Sequence, residues 1–136
     1  MRAIPTLLLL ICWPAGLPAL SLDCTARQAC VTTMGACQQT EVGYRLDAED
    51  KVGAKVVLTT DEQKKSYEFR RLVPAEGLRL QAAGGALDPH QGAGVLTIFD
   101  DLSFVLTRHQ MLYLDGEGQP GSALAISILG RCEERE

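Results

Sequence analysis

The sequence predicts an all-β fold: a small antiparallel sandwich or barrel of seven or eight short strands, with a disulfide-stapled N-terminal loop. Short runs in which apolar and polar residues alternate recur at spacings near ten residues, and turn-forming residues separate them, as is typical of such folds. We find no convincing helical period between these runs, so we do not expect a parallel α/β sheet. An even number of cysteines after the apolar N-terminus is typical of a small disulfide-bonded domain.

Residues 1–21 have the pattern of a cleavable export signal. Arg2 precedes an apolar run over residues 7–13, which is shorter than the about 20 apolar residues of a membrane-spanning helix. Small residues follow at Ala19 and Ser21. We therefore expect cleavage after Ser21, with cleavage after Ala19 as an alternative, and a periplasmic or secreted bacterial protein.

Residues 22–136 are long enough for one disulfide-stabilised β domain. A lipid-modified cysteine would follow a small residue, but Cys12 follows Ile11 and Cys24 follows Asp23, so we expect no membrane anchor after cleavage. The whole chain carries 13 basic and 17 acidic side chains, a formal charge of −4. Nucleic acids and anionic membranes attract clustered lysine and arginine, so this balance argues against both as partners.

Two disulfides are expected among the cysteines of this domain, which are Cys24, Cys30, Cys37 and Cys132. Three pairings are possible. Cys37 directly precedes the first strand predicted from the alternation, and Cys132 follows the last. We therefore expect Cys37–Cys132 to join the ends of the sheet and Cys24–Cys30 to close an N-terminal loop. Zinc is disfavoured, because five, six and 94 intervening residues differ from the closely spaced cysteine pairs of zinc sites.

The region over residues 24–40 is small and polar, and Gly35 and β-branched residues disfavour a helix there, so we expect mostly a loop. Residues 83–94 contain four glycines and a proline, which predicts a flexible loop suited to presenting a binding surface. Residues 133–136 are expected to form a solvated tail. The predicted strands cover residues 42–48, 52–60, 67–72, 78–82, 95–99, 102–107 and 124–128, with an optional short strand at 111–114.

Catalytic chemistry finds little support in the sequence. His90 and His109 are the histidines of the domain, and nothing in their spacing makes them converge. A trio of Ser103, His109 and one carboxylate of Asp100-Asp101 fails on distance, because six residues of extended strand span about 20 Å. Ser103 also lacks a Gly-x-Ser-x-Gly elbow. We predict no catalytic residues and a protein that is not an enzyme.

Metal and cofactor signatures are equally weak. Asp100-Asp101 and Asp115-x-Glu117 supply too few oxygen ligands at fixed positions for a calcium loop. The glycines of residues 83–94 precede no Lys-Ser/Thr pair and no helix start, so they do not form a phosphate loop. We predict no metal site and no cofactor.

A local basic patch is the one surface feature that could attract an acidic partner. It would combine Lys64-Lys65, Arg70-Arg71 and Arg79, with Arg70 and Arg79 on one solvent face of adjacent strands. An ordinary solvated strand face is the competing and more common interpretation.

The spacing Cys24-x5-Cys30-x6-Cys37, followed by strands and Gly130-Arg131-Cys132, is similar to that of small exported bacterial proteins and implies no activity. In size, predicted export, disulfides and β content the chain also loosely resembles bacterial periplasmic inhibitors of lysozyme, although their inhibitory motif maps onto no residue here. We therefore expect a non-enzymatic binding or envelope-associated protein with a protein partner in the cell envelope. The alternatives are an inhibitor of lysozyme or another hydrolase, and a small exported hydrolase.

Overall fold

The described residues of the computed structural model form a closed barrel of eight antiparallel strands. The structure describes residues 19–32, 35, 37–62, 64–84, 93–112 and 121–136. Each strand pairs with the next along the chain, and β1 pairs with β8 to close the barrel, which confirms the predicted fold class. The strands are β1 (Leu20–Val31), β2 (Cys37–Ala48), β3 (Lys55–Thr60), β4 (Ser66–Arg71), β5 (Leu78–Gly84), β6 (Gly94–Phe99), β7 (Ser103–Leu112) and β8 (Ser122–Glu134).

Alternation along each strand fills the barrel interior. Successive side chains of a strand point to opposite faces, so every second residue turns inward. In β7, for example, Phe104 and Leu106 are each 1% exposed. Aliphatic and aromatic side chains from all eight strands meet in one apolar core. The largest fully buried side chains are Phe69, Phe104, Leu22, Leu46, Leu58, Leu80, Leu96, Ile98, Leu106, Val56 and Cys132.

The predicted loop over residues 24–40 is wrong, because most of it is strand. β1 runs from Leu20 to Val31 and pairs with both β2 and β8. Its inward residues include Cys24 and Ala26, which are small, so the alternation carries a weak hydrophobic signal. A register shift between Ala26 and Gln28 then breaks the period of two. The disulfide-closed loop that does exist is the short connection between β1 and β2.

The missed strand also explains why the expected cysteine pairing is wrong. β1 lies between β2 and β8, so it places Cys24 opposite Cys132 and Cys30 opposite Cys37. The structure accordingly has disulfides Cys24–Cys132 and Cys30–Cys37. All four cysteines are paired, as predicted, but each bridge joins two neighbouring strands directly. Two disulfides indicate an oxidising compartment.

Among the other strands, the boundaries of β3, β7 and β8 differ most from the sequence prediction. β3 begins at Lys55 rather than residue 52, because residues 49–54 form the turn. β7 continues without a break to Leu112 and absorbs the start of the optional strand at 111–114. β8 extends to Glu134, so the predicted tail at 133–136 is partly strand. Of residues 83–94, the first two belong to β5 and the last to β6, and 85–92 lie outside the described residues.

The barrel has two different ends. The clamp end carries the connections over residues 49–54, 72–77 and 100–102, together with residues 131–136. At the opposite end, which we call the mouth, four strands extend past the other four. Pairing between β1 and β2 continues to Cys30↔Cys37, and pairing between β7 and β8 continues to Leu112↔Ser122. Pairing between β2 and β3 stops earlier, at Tyr44↔Thr60.

Candidate functional site: an arginine at the barrel mouth

The predicted basic patch does not form. Arg71 turns inward, is 9% exposed, and lies 3.0 Å from Asp50. It also donates a 2.8 Å hydrogen bond to the carbonyl oxygen of Glu49. Arg70 is opposite Ala83 on β5, four residues from Arg79, so the two arginines are not cross-strand neighbours.

Each of the outer arginines is instead paired within the chain. Arg70 lies 3.4 Å from Glu68, and Arg79 forms an ion pair with Glu134. A cleft of about 290 Å³ at the clamp end is lined by Ala19, Leu20, Asp50, Arg71 and Arg79. Because both of its arginines already bind carboxylates of the chain, we interpret this cleft as part of the structural closure of the barrel.

Ser103 is the first residue of β7 and His109 lies six residues further along the same strand, so the two side chains do not meet. His109 is exposed and pairs with Ala125 in the strand register. The hydroxyl of Ser103 donates a 2.5 Å hydrogen bond to Asp101, and its backbone N–H donates another at 2.9 Å. These bonds lower the pKa of Asp101 and stabilise the turn between β6 and β7. His90 and Asp115-x-Glu117 lie outside the described residues.

Arg108 occupies an inward position at the mouth. It follows Phe104 and Leu106 on the same face of β7, since alternate residues of a strand share a face. Its guanidinium carbon lies 4.6 Å from the ring centroid of Tyr67. Tyr67 comes from the start of β4 and packs against the apolar core. The geometry is that of a cation–π contact across the mouth of the barrel.

Tyr44 lies beneath this contact. It is 6% exposed, and its ring meets Phe104 edge to face with a centroid distance of 6.2 Å. Burial raises the pKa of Tyr44, the neighbouring Tyr67 raises it further, and the positive charge of Arg108 opposes the rise. Tyr44 therefore remains a neutral phenol at ordinary pH, and its pKa depends on the charge of Arg108.

Gly94 leaves room for the arginine. Gly84 and Gly94 face each other in the pairing of β5 with β6, and Gly94 also pairs with Arg108. A Cβ atom at Gly94 would lie 2.1 Å from the carbonyl oxygen of Thr107 and 3.1 Å from Cγ of Arg108. The Gly94 backbone therefore packs closely against the stem of Arg108, and the Tyr67 ring contacts its guanidinium. This arrangement restricts the side chain to few rotamers.

Sequence reasoning missed this cluster of Arg108, Tyr67 and Tyr44. A signal was present, because Arg108 follows Phe104 and Leu106 at the inward spacing. A strand that places a charge where its pattern requires an apolar side chain marks either a barrel rim or a site. The alternation predicted for residues 102–107 stopped one residue short of it.

The described residues contain no cluster of three or more side chains suited to holding a metal ion. Within the same ranges there is no helix that is long and apolar enough to cross a membrane. The chain matches no protein-family model, and comparison with curated proteins and with solved structures finds no significant similarity.

Proposed function

We propose that this protein is an exported, non-enzymatic binding domain that recognises a partner protein in the cell envelope through the mouth of its barrel. The observation that carries the proposal is the position of Arg108, which is held over Tyr67 at the end of the barrel where four strands extend past the others. Arginine and tyrosine are among the side chains most enriched in the residues that dominate binding at protein interfaces.

The rest of the described barrel supports recognition at a rim rather than inside. The middle of the lumen is filled by side chains such as Leu46, Val56 and Leu96, which are 0% exposed. The disulfide Cys30–Cys37 fastens the hairpin of β1 and β2 on the mouth side. A hairpin fastened by a disulfide loses little conformational entropy on binding, which favours affinity.

Export is part of the proposal. The signal-like residues 1–21 and the two disulfides support a periplasmic or secreted location. β1 begins at Leu20, and the Ser21 hydroxyl donates a 2.9 Å hydrogen bond to Asp47. Cleavage after Ala19 would keep both residues in the strand, whereas cleavage after Ser21 would remove them. N-terminal sequencing of the exported protein distinguishes the two sites, and a chain retained in the cytoplasm would contradict export.

The experiment that tests the binding function is a partner screen. The oxidised protein is immobilised and exposed to a cell-envelope extract and to a panel of lysozymes, with a reduced sample as control. We expect a single partner retained by the oxidised protein and released after reduction. Inhibition of a retained lysozyme would assign the partner to that class of hydrolase. Failure of the oxidised protein to retain any partner would contradict the proposal.

A further inference from the structure

We propose that two copies of this chain associate side by side through the outer faces of β6, β7 and β8, a surface that we call the uncharged wall. It consists of every second residue over 95–99 in β6, 105–111 in β7 and 123–129 in β8, all of which point away from the core. This inference goes beyond the proposed function, because the wall lies on the side of the barrel rather than at its mouth.

The strand register places the wall residues side by side. Val105 of β7 lies between Thr97 of β6 and Leu129 of β8. One row toward the mouth, Thr107 lies opposite Val95. Cross-strand partners in an antiparallel sheet point to the same face, so the three strands present one continuous outer surface.

The wall carries no formal charge and several apolar side chains. None of its residues is aspartate, glutamate, lysine or arginine. Val95, Phe99 and Met111 are large apolar side chains that are exposed on it. A broad outer surface that combines exposed apolar side chains with an absence of charge is typical of an interaction site.

The opposite side of the barrel is charged. On the outer faces of β3 and β4, Glu68 lies 3.3 Å from Lys55 and 3.4 Å from Arg70. On β2, Arg45 lies 3.9 Å from Asp23 of β1. β3 and β4 are four places away from β7 and β8 in the strand order. The absence of charge is therefore a local property of the wall and not a general property of this outer surface.

A second copy of the chain fits such a wall. In a twofold dimer the same surface of both copies meets, so a patch with a net charge would face its own sign. The chain has a formal charge of −4, and molecules with the same net charge repel each other. On the uncharged wall, two copies can come into contact without placing like charges opposite each other.

The wall is large enough for a weak dimer. β7 has 10 residues, so it is about 34 Å long at about 3.4 Å per residue, and three strands at a spacing of about 4.8 Å are about 14 Å wide. Contact over this footprint buries about 1,000 Å² on the two copies together, which is the lower limit for a specific interface. We therefore expect a dimer that forms only as the protein concentration rises.

The test is sedimentation equilibrium of the oxidised protein from about 1 µM to about 1 mM, the range in which weak complexes form. Wild type should pass from monomer to dimer within this range. Val105→Lys should weaken association at least about tenfold, because it brings two like charges into a desolvated contact. The substitution also makes the chain less acidic, so greater overall repulsion cannot explain weaker association.

A second variant and a control keep the test specific. Thr107→Lys should also weaken association at least about tenfold, although it removes no large apolar side chain. Val57→Lys is the matched control: Val57 faces outward on β3, between Asp47 and Glu68, and the variant should associate like wild type. Thermal unfolding verifies that each variant is folded.

The outcomes decide the proposal without reference to the partner screen. Wild type that remains monomeric up to the highest concentration would overturn it. Wild-type association of folded Val105→Lys and Thr107→Lys would also overturn it, as would equal weakening by Val57→Lys, because the contact would then lie elsewhere. A dimer that both wall variants weaken and Val57→Lys preserves supports the proposal.

Discussion

Gly130 lies where β8 packs closely against β1. A Cβ atom at this position would lie 2.1 Å from the carbonyl oxygen of Thr25, 2.6 Å from a ring carbon of Phe104 and 2.8 Å from the Cα of Ala26. Two of these atoms belong to the backbone of a paired strand, so they cannot move without opening the barrel. Glycine is required here by the close approach of two chains.

The change Gly130→Ala should destabilise the protein by about 1–3 kcal/mol, the usual cost of forcing extra atoms into a packed core. The matched control is Gly43→Ala, where the added Cβ would meet the end of the Asp61 side chain, which can rotate away. Denaturant unfolding measures both variants. Equal losses of stability would contradict the steric argument.

Ionisation of Tyr44 should destabilise the folded protein at alkaline pH. Because burial raises its folded-state pKa above that of the unfolded chain, the neutral phenol stabilises the fold fully below pH about 10, and this contribution is lost as the pH rises further through the folded-state pKa. Arg108→Gln removes the charge that opposes the shift, so it should raise the pKa of Tyr44 further. Spectrophotometric titration of the phenol checks this, and a lowered pKa in the variant would contradict the geometry.

At the scale of elements, the two disulfides differ in burial and in the length of chain they enclose. Cys24 and Cys132 are 3% and 2% exposed and are 108 residues apart in sequence. Cys30 and Cys37 are seven residues apart, and Cys37 is exposed. The buried bridge closes the barrel between β1 and β8, whereas the accessible one fastens the mouth-side hairpin.

We expect mild reductant to open Cys30–Cys37 first, because thiolate attack needs access to the sulfur. Removing Cys24–Cys132 by paired serine substitution should cost about 2 kcal/mol more than removing Cys30–Cys37, since the longer loop restricts the unfolded chain more. Timed alkylation with mass spectrometry and thermal unfolding provide the two measurements. Reduction of Cys24–Cys132 before Cys30–Cys37 would contradict this order.

How far the sequence predicts the structure also depends on the element. Strands with large inward residues, such as Leu96 and Ile98 of β6, are visible in the alternation. β1 is not, because Cys24 and Ala26 are small and the bulge shifts the register. The cysteine pairing depends on which strands are neighbours, so missing β1 made it wrong. The Arg108–Tyr67 contact joins β7 to β4 through tertiary structure, which no local pattern encodes.

For the whole molecule, the C-terminal residues close the clamp end. Arg135 lies 3.2 Å from Asp23 and 3.3 Å from Asp47, and it donates hydrogen bonds of 3.3 Å to the carbonyl oxygens of Leu22 and Leu46. One side chain thus joins β1 to β2 beside the seam between β1 and β8.

Arg135→Ala should lower the free energy of unfolding by about 1–2 kcal/mol, because several charge-assisted contacts are lost together. Arg45→Ala is the control, since Arg45 is more exposed and lies 3.9 Å from the same Asp23; it should change stability by less than about 0.5 kcal/mol. Chemical denaturation measures the free energy of unfolding of both variants. Equal losses in Arg135→Ala and Arg45→Ala would show that Arg135 is an ordinary surface charge.

Ion pairs within the chain close the clamp end, and the recognition site that we propose, at Arg108 and Tyr67, lies at the mouth. The most direct test is the affinity of the retained envelope partner for wild type, Arg108→Gln and Arg70→Gln, measured by surface plasmon resonance on folded, oxidised proteins. We predict that Arg108→Gln weakens binding at least about tenfold and that Arg70→Gln binds like wild type. Binding of Arg108→Gln with wild-type affinity would contradict recognition at the mouth.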